Sequence, residues 1–223
     1  MKVAWPWLIM FGLGAYHGIN PAMGWLFAVA LGMQEKSRRG VLRAMPPIAL
    51  GHLLSIGIIV SLLWLARASL PERPLRYGAA AIVFAFALYR LVRSRHPTWV
   101  GMQVGFHDLT LWSFLMASAH GAGLMLVPVL LAWPGGNGAQ FPGSAGSSPH
   151  ASHPALLRMG ASSPLQWLAA AGIHTIGYLS LAMLIALLVY EKLGVAILRR
   201  AWFNLDLIWF MALMVSVVVI VIV

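Results

Sequence analysis

The chain has 223 residues, of which 61% are hydrophobic and only 9% are charged. Soluble globular domains carry about 25% charged residues, so this composition excludes a water-soluble domain and indicates an integral membrane protein. The net charge is +10, but the basic residues fall in short clusters between apolar runs, which is typical of positive-inside loops and not of nucleic-acid binding. The chain has no cysteine, which excludes disulfides and thiolate metal sites.

Apolar runs long enough to cross a bilayer as a helix recur along the whole chain. We predict an all-α integral membrane fold with six transmembrane helices, at about 5–33, 45–66, 77–92, 109–133, 165–190 and 203–222. The first run is too long for a simple span, so it must tilt, break or extend along the membrane interface.

The basic residues predict the orientation of these spans. Ten of the 15 Lys and Arg follow spans 1, 3 and 5, which assigns those loops to the cytoplasm. Both termini are then expected outside a bacterial-type inner (plasma) membrane. The segment 133–163 is rich in Gly, Ser, Pro and Ala, and we expect it to form a flexible outer loop.

The fourth span repeats the opening of the chain. The stretch YHGINPAMGWLFAVALG (16–32) aligns with AHGAGLMLVPVLLAWPG (119–135), and their His-Gly pairs are in register. A second histidine follows one span later in each half, within LGHLLSI (50–56) and AGIHTIGY (171–178). The alternative is chance similarity between helices rich in Leu, Ala and Gly.

The repeat divides the chain into two three-helix modules, 1–96 and 97–223. Because three spans is an odd number, the second module must insert upside down relative to the first. Inverted repeats of this kind are a recurring transporter architecture, with the substrate site near the bilayer midplane.

Polar residues interrupt the first span. Pro21 cannot donate a backbone hydrogen bond to the His17 carbonyl, and it disfavours helical geometry at Asn20. We therefore expect a helix break at Gly18 to Pro21 that exposes the His17 carbonyl. Polar backbone at membrane depth is tolerated only inside protein or beside water, so the break predicts the lining of a site. Gly121 and Gly123 offer a similar break in span 4.

Histidines at matched positions of the two halves are the candidate binding residues. Ionisable side chains within spans indicate function by default, although each histidine could instead only link neighbouring helices. Imidazole serves either as a metal ligand or as a proton carrier. The candidate substrate or metal-binding set is His17, Asn20, Met23, His52, His120, Met125 and His174, with the four histidines as metal ligands.

Carboxylates are scarce, and two of them lie near the cytoplasmic side of the spans. Asp206 could pair with Arg90 at the end of span 3. Such a salt bridge would either hold a cytoplasmic gate or form a simple interfacial ion pair.

The stretch HGINPAM (17–23) resembles the first motif of the nickel/cobalt transporter family, within the LysE-type exporter superfamily. That motif reads H-A-L-D-A-D-H or H-A-L-D-P-D-H in a transmembrane helix, and His17 and Pro21 match it. Asn20, Ala22 and Met23 stand where the family has its two acids and its last histidine.

The family's second motif, L-G-H-S-T-V-V, is similar to LGHLLSI, with matches at Leu50, Gly51 and His52. The six-span, two-half layout is similar as well. The resemblance implies a transporter with a metal cation as substrate, and the departures leave open a softer metal, an anion or an organic solute.

We therefore expect a non-enzymatic transporter of a small solute, with a transition-metal ion as the leading substrate and no resident cofactor. The alternatives are an exporter of a small anion or organic solute, a membrane haem- or metal-binding enzyme or assembly factor, and a non-catalytic subunit of a membrane complex. The expected partners are the lipid bilayer and the solute, and no nucleic acid.

Overall fold

The computed structural model describes residues 4–92, 105–133, 164–193 and 205–222. Within these ranges the regular structure is entirely helical, so the prediction of an all-α fold is confirmed for this part of the chain. The helices are α1 Trp5–Ile19, α2 Trp25–Gln34, α3 Arg38–Ser69, α4 Glu72–Val92, α5 Phe106–His120, α6 Val127–Leu131, α7 Pro164–Leu188 and α8 Leu205–Ile222. Short 3-10 turns, Pro21–Met23 and Leu124–Leu126, precede α2 and α6, and the π-helical turn Val189–Leu193 extends α7.

Several helices are long and apolar enough to cross a bilayer. Three of those described qualify singly: α3, α4 and α7 with its extension to Lys192. The bent pair α5 and Leu124–Leu131, with a 50° angle between its parts, makes a fourth if the pair is one span. Large apolar side chains such as Leu8, Ile82 and Ile222 are exposed on the outside, as a lipid-facing surface requires. A count of six spans, and their orientation, stay predictions.

The three most extensive helix interfaces join α1 to α7, α3 to α5, and α4 to α8. Helix α3 also packs against α2 and α7, so α3 and α7 lie at the centre of the molecule. The buried core follows these interfaces, from Met10 on α1 to Leu213 on α8. Each of the three main interfaces pairs an element of 1–96 with one of 97–223.

Glycines allow α1 and α7 to approach closely. A Cβ atom at Gly14 would lie 1.9 Å from the His174 carbonyl oxygen, and one at Gly18 would lie 2.5 Å from that of Tyr178. Such small-residue contacts are typical of packed membrane helices. The expectation that Gly18 forms part of the helix break is therefore wrong: Gly18 lies inside α1, and close packing is what requires glycine there.

Arg67, near the end of α3, lies outside the positive-inside pattern and has a local structural role. Its guanidinium donates to the Leu130 carbonyl at 3.1 Å, and it lies over the Trp167 ring at 5.7 Å from the centroid. The Leu130 carbonyl is in the last turn of α6, where a cation is favourable. Arg67 thus ties the ends of α3, α6 and α7 together.

Two predictions fall partly or wholly outside the described residues. The proposed outer loop, apart from Trp133, lies outside them. Arg90 is buried on α4, but the side chain of Asp206 is outside the described part of α8. The Arg90–Asp206 pair therefore stays a prediction.

Candidate substrate site

The break in the first span begins directly after α1. Asn20 adopts an extended conformation, and Pro21 opens the 3-10 turn. The Asn20 side-chain oxygen accepts from the Ala22 N–H at 3.0 Å, so Asn20 caps this turn. Gly24, with φ +118°, then starts α2 in a conformation that favours glycine.

The His17 carbonyl is not left free by this break, contrary to our expectation. It accepts a hydrogen bond from the Asn20 N–H at 3.2 Å, which replaces the bond that Pro21 cannot donate. The Ile19 carbonyl is also bonded, by the Trp25 indole N–H at 3.1 Å. The break therefore turns the chain while the His17 and Ile19 carbonyls keep hydrogen-bond partners.

A second break follows α5 in the corresponding place. Helix α5 ends at His120, and Gly121 adopts φ +68° before the turn at Leu124–Leu126. Gly123 lies in this break, where a Cβ would be 2.7 Å from Ile59. An indole also bonds to a backbone carbonyl at this break: Trp209 donates its N–H to the His120 carbonyl.

The structure brings three of the four predicted histidines together. His17 on α1, His52 on α3 and His174 on α7 are each 0% exposed. Their ring centroids are 5.8 Å apart for His17 and His52, 4.9 Å for His17 and His174, and 5.6 Å for His52 and His174. We call these three residues the imidazole cluster.

Five of the six ring nitrogens in the imidazole cluster have no hydrogen-bond partner among the described residues. They are both nitrogens of His52, both of His174, and Nε2 of His17. The Met10 backbone is close enough to interact with His174, but without ordinary hydrogen-bond geometry. A buried polar group without a partner costs about 1–3 kcal/mol, so a concentration of them indicates a binding role.

Backbone carbonyls orient two of the histidines. The distance from His17 Nδ1 to the Leu13 oxygen is 2.9 Å, and from His120 Nδ1 to the Met116 oxygen it is 2.8 Å. A carbonyl only accepts, so Nδ1 carries the hydrogen, and in the neutral ring Nε2 carries the lone pair. Histidines that bind metals are usually held in this way by a partner on their second nitrogen.

The fourth histidine, His120, lies beside an aromatic side chain that also contacts the imidazole cluster. The Trp209 ring is 4.6 Å from that of His17 and 5.7 Å from that of His120, edge-on to both. His120 is 2% exposed. It therefore adjoins the imidazole cluster through Trp209, which the sequence analysis did not single out.

The two predicted methionine ligands are buried in the 3-10 turns of the breaks. The Met23 carbonyl accepts from the Tyr178 hydroxyl, and the Tyr178 ring stacks on His52 with centroids 4.0 Å apart. Met23 thus reaches the imidazole cluster through its backbone. Roles for the sulfur atoms of Met23 and Met125 stay predictions. Tyr178 follows His174 by one helical turn, and this spacing identifies it in the sequence as a hydroxyl near His174.

The spacing of the three rings suits a shared metal ion, but the orientation of two of them does not. Two imidazoles that share a tetrahedral ion at about 2.0–2.1 Å have centroids about 5 Å apart, close to the spacing observed. The His52 and His174 planes, however, are parallel to within 4°. Among the described residues, no group of three or more His, Cys, Asp or Glu side chains is arranged to hold a metal ion.

The Tyr178 hydroxyl is expected to hold the first helix break. Tyr178→Phe removes its hydrogen bond to the buried Met23 carbonyl but keeps the ring on His52, so we expect a loss of about 1–3 kcal/mol in stability. Thermal unfolding in detergent micelles measures the loss. Tyr77→Phe, on an exposed tyrosine of α4, is the matched control and should melt as wild type does. Equal melting of the two variants would contradict the assignment.

Comparisons with protein-family models, with curated protein sequences and with solved structures found no match to this chain. The resemblance to nickel/cobalt transporters consequently stays a resemblance of two short motifs. Any inference about function therefore depends on the geometry of the imidazole cluster.

Proposed function

We propose that the protein is a multi-pass membrane transporter whose substrate is a transition-metal cation bound by the imidazole cluster. The observation that carries this proposal is the set of five buried ring nitrogens without a partner among the described residues, on three helices that meet at one point. Imidazole nitrogen is a preferred ligand of zinc, copper, nickel and iron ions. A bound cation would take the lone pair of one nitrogen from each of the three rings.

The surroundings of the histidines favour a cation over an anion. His17 and His120 lie in the last turns of α1 and α5, where the helix dipole contributes negative potential. The His17 ring keeps Nδ1 on the Leu13 carbonyl, so it would offer a lone pair from Nε2. An anion could use only the N–H groups of His52 and His174, because the N–H groups of His17 and His120 are bonded to backbone carbonyls.

Binding requires a change in the rings of His52 and His174. Their parallel planes do not direct the lone pairs toward one point. Rotation about the side-chain torsions would bring the nitrogens to a common ion without moving the backbones, because the centroids are already close enough.

An inverted repeat is supported by matched contacts on the two sides of the imidazole cluster. The Ser55 and Ser118 hydroxyls, 2.8 Å apart, join α3 to α5. The equivalent positions under the His17–His120 and His52–His174 alignment are Gly177 and Ala15, and these meet where α7 packs on α1. Two modules related in this way would rock against each other and open the cluster to alternate sides of the membrane.

A flux panel in proteoliposomes tests the proposed function. We expect wild-type protein to move at least one of Cu⁺, Cu²⁺, Zn²⁺, Ni²⁺ and Co²⁺ and not to move Mg²⁺, which prefers oxygen ligands. His17→Ala should reduce this flux to the level of empty vesicles. His107→Ala, on an exposed histidine at the start of α5, is the matched control and should keep it.

Two outcomes of the flux panel would contradict the proposal. No flux of any of these ions by the wild type, or flux that His17→Ala leaves unchanged, would overturn the proposal. Flux of an anion or organic solute instead would replace the substrate class.

A further inference from the structure

Trp209, on α8, contacts two predicted site histidines that lie on different helices. Its ring stacks on Tyr16 at 5.2 Å, with planes 5° apart, and it meets His17 and His120 edge-on. Its indole N–H donates to the His120 carbonyl, and the side chain is 4% exposed. Trp209, on α8, is thus held by the last turn of α1 and by the end of α5.

We propose that Trp209 is the barrier between two imidazole subsites, one formed by the imidazole cluster and the other by His120. This inference rests on the proposed transport function. It assigns Trp209 a positioning role, because the indole controls passage between ligands without being a ligand itself.

The geometry explains why an indole suits this role. A cation that moves from His17 to His120 would pass an indole ring that contacts both imidazoles. The ring is apolar in bulk and opposes passage while it is held, as hydrophobic constrictions do in pores. Its π face can attract a cation once the ring turns, which lowers the cost of transfer at that moment.

The hydrogen bond to the His120 carbonyl couples the barrier to the second helix break. That carbonyl ends α5, directly before Gly121. A rearrangement of the break would release the indole N–H, and the stacking on Tyr16 would then be the remaining restraint. Opening of the barrier is therefore linked to movement of the broken helix.

Passive leak tests the barrier directly. We expect Trp209→Ala to raise the leak of the transported ion from loaded proteoliposomes about tenfold, while Trp209→Phe, which keeps a ring, stays within about twofold of wild type. Trp112→Ala is the matched control. Trp112 is a buried tryptophan on α5 whose described ring contact is with Phe27, 5.0 Å away, and its leak should stay at the wild-type level.

Fluorescence provides a second readout, which tests whether the ion binds next to Trp209. Co²⁺ or Cu²⁺ bound at His17 would quench a tryptophan whose ring lies 4.6 Å from that imidazole. We expect Trp209→Phe to remove most of the metal-induced quenching in detergent-solubilised protein. Trp112→Phe should keep it.

The outcomes separate this inference from the proposed function. Wild-type flux that depends on His17, together with an unchanged leak in Trp209→Ala or unchanged quenching in Trp209→Phe, would overturn the barrier and leave the transporter standing. Wild-type protein that neither moves nor binds a transition-metal ion would overturn both. Raised leak in Trp209→Ala with lost quenching in Trp209→Phe supports the barrier.

Discussion

His52→Leu is expected to stabilise the protein and at the same time to abolish cation binding. Both ring nitrogens of His52 are buried without a hydrogen-bond partner among the described residues. Leucine has a similar volume and no polar atom, so the substitution should recover about 1–3 kcal/mol of stability. The cation would lose a ligand, and we expect its affinity to fall by about 100-fold or more, beyond the usual cost of losing a supporting residue.

Two measurements on one sample decide the matter. Thermal unfolding of the metal-free protein in detergent micelles gives the change in stability, and equilibrium binding of the transported ion gives the change in affinity. His107→Leu, at an exposed position, should change neither. A gain in stability together with a loss of ion affinity is diagnostic. If His52 only linked helices, its substitution would destabilise the protein and leave ion binding unaffected. That pattern would contradict a binding role for the imidazole cluster.

The imidazole cluster was predicted from histidines at matched positions in the two halves of the sequence. In the proposed inverted repeat, His17 and His52 lie one span apart, as His120 and His174 do, and such an arrangement would bring these positions together. The sequence also marks the first break, since Pro21 removes a backbone donor and disfavours helical geometry at Asn20.

Other features could not be predicted, because they depend on contacts between residues that are far apart in the sequence. Trp209 bonds to a carbonyl 89 positions away, and tryptophan is common throughout the sequence. From the sequence, Gly18 is equally compatible with a helix break and with close helix packing. Only the position of α7 decides between these two roles. The His17 carbonyl seemed free because proline removes the usual donor, but the Asn20 N–H supplies a 3-10 bond.

A substitution at Gly14 is expected to have the largest effect on stability. The Cβ of Gly14→Ala would lie 1.9 Å from the His174 carbonyl oxygen and 2.9 Å from the Tyr178 nitrogen. Both are backbone atoms of α7, so no side-chain rotation can relieve the overlap, and α1 must move away. Overpacking usually costs about 1–3 kcal/mol, and we expect a loss at or above the upper end of that range.

Gly12→Ala is a sharp control because the same substitution two residues earlier meets open space. No described atom lies within 4 Å of its new Cβ. Alanine is favoured over glycine within a helix by about 0.5–1 kcal/mol, so Gly12→Ala should unfold at or above the wild-type temperature.

Movement of α1 at Gly14 would also separate the rings that the proposed function requires. Gly14 precedes His17 by one helical turn, and the atom that it contacts is the carbonyl of His174 itself. The 4.9 Å spacing of the two imidazoles therefore depends on this glycine. We expect Gly14→Ala to weaken binding of the transported ion about tenfold or more, by analogy with the loss of a supporting residue. If Gly14→Ala and Gly12→Ala melted together and bound the ion equally, α1 and α7 could not be packed as described, and the imidazole cluster would have no basis.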